Sequence, residues 1–132
     1  MKVVSILEPF ASLIKEKVKR VETRSWRTKY RGEIYIHASG KKVSFKDERN
    51  KRLVSYLNDK TFKYGCIIAK ANLVDCVYMD KAFLDKIDEE LLEKDCGYYE
   101  EGRYAWVLED IEMLDNPIYT NGQLGIWNYS DK

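Results

Sequence analysis

The chain has 132 residues, of which 45% are hydrophobic, with 3 cysteines, 2 prolines and 7 glycines. This length suits one domain, residues 1–132, whose core needs neither a metal nor a disulfide, and we expect no cofactor. The odd cysteine count, without a Cys-x-x-Cys pair, argues against a zinc knuckle and a disulfide framework. No apolar run is long enough for a signal peptide or a membrane span, so we predict a cytoplasmic protein without a membrane partner.

The net charge of +1 hides two oppositely charged halves. Residues 1–52 contain 15 Lys or Arg and 6 Asp or Glu, a balance of +9, whereas residues 53–132 contain 8 and 16, a balance of −8. A basic half attracts phosphate groups while an acidic half limits indiscriminate binding, and this asymmetry points to nucleic acid. The other interpretation is that the halves interleave in the folded protein and cancel.

The first part of the chain predicts a strand, a helix and a second strand. The strand covers Lys2–Ile6, and Pro9 opens the helix because its missing amide proton has no partner in a first helical turn anyway. A second strand covers Val21–Trp26. The helix packs on the sheet through an apolar stripe of Phe10, Leu13, Ile14 and Val18.

The second strand carries a Glu-x-Arg pair. Strand alternation puts Arg20, Glu22, Arg24 and Trp26 on one face, which is therefore polar and aromatic. A carboxylate two residues from a guanidinium holds it ready for a planar anion or a base edge. The alternative is an ordinary surface ion pair, which contributes little.

The next segment predicts a strand over Glu33–Ala38 and then a helix. His37, the single histidine, falls near the strand end on the polar face, where it serves either as a structural hydrogen-bonding residue or as a ligand contact. Ser44 is the predicted N-cap of a helix over Phe45–Leu57, whose Lys and Arg residues form a solvated face.

The middle of the chain predicts a long strand and an acidic helix. Residues Tyr64–Tyr78 are long enough to curl around a small barrel, with Gly65 and Asn72 as bend points. Asp80 begins a helix that extends to about Leu92. Its buried stripe is Phe83, Leu84, Ile87, Leu91 and Leu92.

The C-terminal segment predicts β structure. Tyr104–Leu108 alternates as a strand, and Pro117 marks an edge or a strand start. The Asn-Gly pair within Tyr119–Leu124 predicts a tight hairpin. Trp106 and Trp127 are predicted core residues. The fold class is α+β, mainly β, as a small, mostly antiparallel barrel with two or three outer helices.

Five segments in order carry a resemblance to a known family. They are SILEPFASLI, KVKRVETRSWRTKYRGEIYIHAS, YGCIIAKANLVDCV, GRYAWVL and GIWNY. Together they resemble the ASCH domain family, which shares the PUA-like β-barrel. The resemblance implies a pseudo-barrel with a cleft beside the first helix and second strand, and an association with RNA. The family motif G-x-K-x-x-E-x-R falls on Lys17, Lys19, Glu22 and Arg24.

The chain departs from this motif at Lys17, which replaces a glycine. Glycine after a helix end normally adopts a left-handed conformation, so Lys17 either carries strain or changes the helix end. The similar acetylcytidine amidohydrolases use Lys-x-x-Thr, with a nucleophilic threonine, and Glu22 stands at that position here. If the protein is an enzyme, Lys19 and Glu22 are its catalytic pair, acting by general acid–base chemistry through a water.

Three hypotheses follow for the function. The first is a module that binds RNA or a nucleotide-like small molecule through a cleft; the second is a hydrolase of acetylcytidine-type amides or of RNA; the third is a protein-interaction domain. Lys19 would contact a phosphate or a carbonyl, and Arg24 would make a bidentate contact while Glu22 holds it in place. Trp26 or Tyr30 would stack on a base. Arg103, in a loop before a strand, either reaches the cleft or caps it. The candidate binding residues are Lys19, Glu22, Arg24, Ser25, Trp26, Tyr30, His37 and Ser39, with no metal ligand.

Overall fold

The structure is a computed structural model that describes residues 1–130. Within this range the chain forms six strands and four short helices. The strands are β1 (Lys2–Ile6), β2 (Val21–Arg24), β3 (Gly32–Ala38), β4 (Cys66–Tyr78), β5 (Tyr104–Tyr119) and β6 (Ile126–Asn128). The helices are α1 (Phe10–Lys15), α2 (Glu48–Val54), α3 (Lys81–Ile87) and α4 (Leu91–Asp95).

The strands form one mixed sheet in the order β2-β5-β4-β3-β1-β6, curved into a half-barrel. β1 runs parallel to β3, and the other neighbouring pairs are antiparallel. The long strands β4 and β5 change register three times, once between Lys70 and Asn72, which lets them follow the curve. The predicted α+β, mainly-β barrel class is confirmed.

The core lies inside this curve. Ile34 and Ile36 of β3 are fully buried, as their alternation predicted, and Ile14 of α1 packs against the same cluster. Trp106 and Trp127 are 1% and 5% exposed, which confirms both as core residues. Helix α1 lies against β3, β4 and β5.

Helix α2 begins later than predicted. Asp47, not Ser44, is its N-cap, with the Asp47 carboxylate accepting from the Arg49 amide at 2.9 Å. Phe45, predicted as helical, precedes the helix and is 50% exposed. The negative charge of a carboxylate at the N-cap also interacts favourably with the positive end of the helix dipole. This explains why Asp47, and not Ser44, caps the helix.

The predicted acidic helix is two helices, α3 and α4. Asp80 caps α3 as expected, accepting from the Phe83 amide at 2.8 Å, but the helix ends at Ile87. Leu91 and Leu92 were predicted to be buried and are instead 76% and 47% exposed. The break after Ile87 turns α4 so that a different residue, Glu93, faces inward at 2% exposure.

The Asn121-Gly122 hairpin prediction is wrong. β5 continues through Pro117 to Tyr119, and β6 pairs with β1 instead of folding back on β5. Gly122 is needed for a different reason, since a Cβ there would lie 2.8 Å from the Ser5 hydroxyl oxygen and 2.9 Å from Cε1 of His37. Close approach of the backbone, rather than a positive φ, explains this glycine.

Lys17 ends α1 in the conformation that favours glycine. Its φ is 64°, its amide donates to the Ile14 carbonyl at 2.9 Å, and the Val18 amide donates to the Leu13 carbonyl at 2.9 Å. This pair of hydrogen bonds is the Schellman motif. The helix therefore ends as it would with glycine, and Lys17 carries the left-handed backbone strain.

Replacing Lys17 with glycine is expected to raise the free energy of unfolding by about 1 kcal/mol. Glycine removes the strain of the left-handed backbone, and this gain exceeds the loss that comes from the greater conformational entropy of the unfolded chain. Urea denaturation measures the change. The matched control is Lys15→Gly inside the same helix, which is expected to lower stability by about 1 kcal/mol. Equal losses in both variants would contradict the strain at Lys17.

Candidate nucleic-acid interface

A cleft of about 440 Å³ opens between the end of β1, strand β2 with the two residues after it, and the segment after α4. Its lining contains four cationic side chains, one carboxylate and three aromatic rings. The lining residues are Ser5, Ile6, Leu7, Phe10, Lys19, Glu22, Thr23, Arg24, Ser25, Trp26, Arg49, Cys96, Gly97, Tyr98 and Arg103. We refer to this set as the cleft.

Arg24 is held in a fixed position within the cleft. Its Nε and Nη2 groups approach the Glu22 Oε2 oxygen at 3.1 and 3.0 Å, and Nη2 also donates to the Ser5 carbonyl at 2.9 Å. The guanidinium lies over the Trp106 ring at 5.7 Å. These contacts fix the plane of the guanidinium before a ligand binds. Less conformational entropy is then lost on binding, which favours a higher affinity.

Lys19 is 1% exposed although it lines the cleft. Its ammonium group donates to the Cys96 carbonyl at 2.7 Å and lies 3.9 Å from the Glu22 Oε1 oxygen. Burial lowers the pKa of Lys19, while the charges of Glu22 and Glu93 act in the opposite direction. Lys19 thus ties the start of β2 to the end of α4.

Glu93 supports this arrangement from behind the cleft. Its Oε1 oxygen accepts from the Arg20 amide at 2.9 Å and from the Arg20 Nη1 group at 3.2 Å. The side chain is 2% exposed, and it supplies negative charge to the buried Lys19. Sequence reasoning missed Glu93 because the helical period assigned leucines, not a glutamate, to the buried face of this segment.

Aromatic rings border the cleft on two sides. Trp26 is 39% exposed and meets the buried Trp106 edge to face at 4.9 Å. Tyr98 is 56% exposed, and the Arg103 guanidinium lies over its ring at 4.4 Å. Trp26 comes after the end of β2 at Arg24, so the predicted strand was two residues too long at this end.

Arg49 was assigned by sequence to a solvated helix face, but it lies in the cleft. Its Nη2 group donates to the carbonyls of Asp95 and Gly97 at 2.9 and 3.0 Å, and its guanidinium lies 5.5 Å from the Phe10 ring. A capped position early in α2 directs this arginine toward α1 and α4. No local pattern distinguishes it from its basic neighbours on the helix.

The structure brings five of the predicted binding residues together and separates three from them. Lys19, Glu22, Arg24, Ser25 and Trp26 line the cleft. The other three are Tyr30, whose hydroxyl donates to the Glu33 carbonyl, and His37 and Ser39, which line a neighbouring pocket.

The chemistry of the other groups is limited. Burial raises the pKa of Cys96 to about 11, so this thiol stays protonated at neutral pH and is a poor nucleophile. Within residues 1–130, no three His, Cys, Asp or Glu side chains are arranged to hold a metal ion.

In the described part of the chain, no helix has both the length and the apolar character that a membrane crossing requires.

Comparison with known proteins identifies relatives of the chain. The ASCH domain family model matches residues 4–118. Activating signal cointegrator 1 of Mus musculus and of Homo sapiens are 33% and 34% identical over 104 residues. Each alignment covers 72% of this chain and 17% of the relative, so the chain spans about a sixth of the length of these proteins.

A solved structure supports the fold. The crystal structure of ASCH from Zymomonas mobilis superposes with a TM-score of 0.60 at 19% identity, covering 98% of this chain and 87% of the other. At this identity the likeness bears on the fold alone. With the family model matching residues 4–118, the half-barrel and the ordered segments together identify this chain as a member of the ASCH domain family.

Proposed function

We propose that the cleft binds RNA or a modified nucleotide without transforming it. The observation that carries this proposal is the composition of the cleft, whose lining contains the cations Lys19, Arg24, Arg49 and Arg103 but only one carboxylate, that of Glu22. A concave site with an excess of cations and with exposed aromatic rings suits a ligand that is both anionic and planar.

The contacts of Arg24, Trp26 and Arg103 support a different role for each side chain in binding. Arg24 is oriented by Glu22 and Ser5, and among the described residues its Nη1 group has no protein acceptor, so it is available to a base edge or a phosphate. Trp26, with its exposed ring, offers a face for base stacking. Arg103 lies at the open side over Tyr98, where it can neutralise a phosphate.

The hydrolase alternative has less support from this geometry. Hydrolysis needs Glu22 to activate a water, but its Oε2 oxygen is engaged by Arg24 and its Oε1 oxygen faces Lys19. A carboxylate placed between two cations orients them, which suits binding. We therefore propose that Lys19 and Glu22 shape the cleft instead of acting as an acid–base pair.

Fluorescence anisotropy with a labelled single-stranded RNA oligonucleotide tests the proposal. We expect the logarithm of the binding constant to fall linearly with the logarithm of the salt concentration. Arg103→Ala is expected to weaken binding about fivefold, because one phosphate contact is lost. The control is Lys81→Ala, which removes the same charge from an exposed site on α3.

The two variants are expected to differ in their effect on RNA binding. Arg103→Ala should also reduce the steepness of the salt dependence, whereas Lys81→Ala should leave both affinity and salt dependence unchanged. Equal affinity in Arg103→Ala and the wild type, or no RNA binding by the wild type at low salt, would rule out the cleft as the RNA site.

A further inference from the structure

A second pocket, of about 380 Å³, adjoins the cleft, and we call it the outer pocket. Ser5 lines both cavities. His37 joins Ser5 at its base, and the rim includes Gly40, Gly122, Gln123 and Leu124. The backbone carbonyl of Ser5 holds Arg24 in the cleft, so the two cavities are separated by the width of one residue.

The base of the outer pocket is preorganised by a chain of hydrogen bonds. The Trp127 Nε1 group donates to the Ser5 hydroxyl oxygen at 3.1 Å, and that hydroxyl lies 3.1 Å from Nδ1 of His37. Nε2 of His37 lies 2.7 Å from the Thr120 carbonyl, which can only accept. Nε2 therefore carries a proton, and in the corresponding neutral tautomer Nδ1 accepts from the Ser5 hydroxyl.

Gly122 closes this network on its outer side. Its backbone lies so near that a Cβ would be 2.8 Å from the Ser5 hydroxyl oxygen. The network is thus packed against the 120–125 segment, and this segment presents its next two side chains outward. Gln123 is exposed, and Leu124 is 98% exposed.

The rim of the outer pocket has the chemistry of a nucleotide contact. The Gln123 amide can both donate and accept, as a base edge requires, and Leu124 supplies apolar surface for a base face. No acidic residue is among the lining residues of this pocket. Two exposed lysines, Lys41 and Lys42, follow directly after Gly40 and add positive charge beside the rim.

We propose that a single strand of RNA runs from the cleft over Ser5 into the outer pocket, so that the site takes at least two adjacent nucleotides. This proposal rests on the proposed function of the cleft. No Lys or Arg lines the outer pocket itself. The shared wall at Ser5, the absence of acidic lining residues and the exposed Lys41 and Lys42 next to Gly40 in the chain support the path of an anionic strand from the cleft into this pocket. A ligand one nucleotide long fills the cleft alone.

The test compares uridine monophosphate with hexauridylate by calorimetry and by amide NMR titration at low salt. Hexauridylate is expected to bind at least tenfold more tightly and to shift the amides of both Arg24 and Gln123, whereas the monophosphate shifts only that of Arg24. Gln123→Glu is expected to weaken hexauridylate about fivefold and to leave the monophosphate unchanged.

The matched control is Asn116→Asp, the same amide-to-acid change at an exposed residue that lines neither cavity. It should leave hexauridylate affinity unchanged. If both ligands bind equally well, or if Gln123→Glu and Asn116→Asp have the same effect, the outer pocket is not part of the site and the cleft proposal stands alone. If neither ligand binds, both proposals fail.

Discussion

Replacing Glu93 with glutamine is expected to lower the free energy of unfolding by about 3 kcal/mol. The carboxylate is 2% exposed and accepts from both the backbone and the side chain of Arg20. Glutamine can keep an oxygen against both Arg20 donors, but its amide nitrogen replaces the oxygen that accepts from the Tyr99 hydroxyl at 3.5 Å, and the charge that faces the guanidinium is lost. It also removes negative charge from the surroundings of Lys19, whose ammonium is itself buried.

The control for this variant is Glu90→Gln. Glu90 also pairs with Arg20, but its side chain is 42% exposed, so water replaces the lost contact and the expected cost is below about 1 kcal/mol. Urea denaturation of the two variants, followed by circular dichroism, gives the comparison. Similar losses in both would mean that burial of Glu93 contributes nothing to stability.

Replacing Arg24 with alanine is expected to weaken RNA binding about 30-fold, which corresponds to about 2 kcal/mol. The expected effect exceeds that at Arg103 because Arg24 is fixed by Glu22 and the Ser5 carbonyl before a ligand arrives. A fixed guanidinium loses little entropy on binding, and its Nη1 group, which has no protein acceptor among the described residues, can donate to the ligand. Anisotropy with a labelled single-stranded RNA measures the change.

Arg24→Ala also leaves Glu22, which is 8% exposed, without its main partner. A loss of folded protein would imitate a loss of binding, so each variant is first checked by thermal unfolding. Arg24→Lys separates charge from geometry, because it keeps the positive charge and loses the planar fork. We expect it to bind about tenfold more weakly than the wild type. If Arg24→Lys bound RNA with wild-type affinity, the positive charge at this position, and not the planar geometry of the guanidinium, would account for its contribution.

The strands and the motif of the candidate site were accessible from local sequence. A short apolar run located β1, and alternation, which is a property of adjacent residues, located β3 and its buried isoleucines. The Lys-x-x-Glu-x-Arg spacing lies on β2 and the residues leading into it, and the structure joins Lys19, Glu22 and Arg24 in one cleft. The role of these residues in binding RNA stays a prediction.

The helix errors have a shared physical cause. A helical period identifies which residues can share a face, but packing decides which face is buried. In the acidic segment the leucines Leu91 and Leu92 matched the period, whereas the tertiary contact with Arg20 selected Glu93 for the interior. The hairpin error has the same origin, since the Asn121-Gly122 pair is locally compatible with a tight turn but tertiary structure pairs β6 with β1.

The sequence by itself determined the strand-rich class and the motif residues, because both depend on neighbours within a few positions. It also determined the charge asymmetry, because that is a count of residue types along the chain. Only the tertiary structure decided that Arg49, Arg103 and Tyr98 join that motif, since these residues are far from it in the chain. The Lys19 ammonium and the Cys96 carbonyl, 77 positions apart, meet at 2.7 Å. Such contacts form when the sheet curves and α4 docks, and no local pattern encodes them.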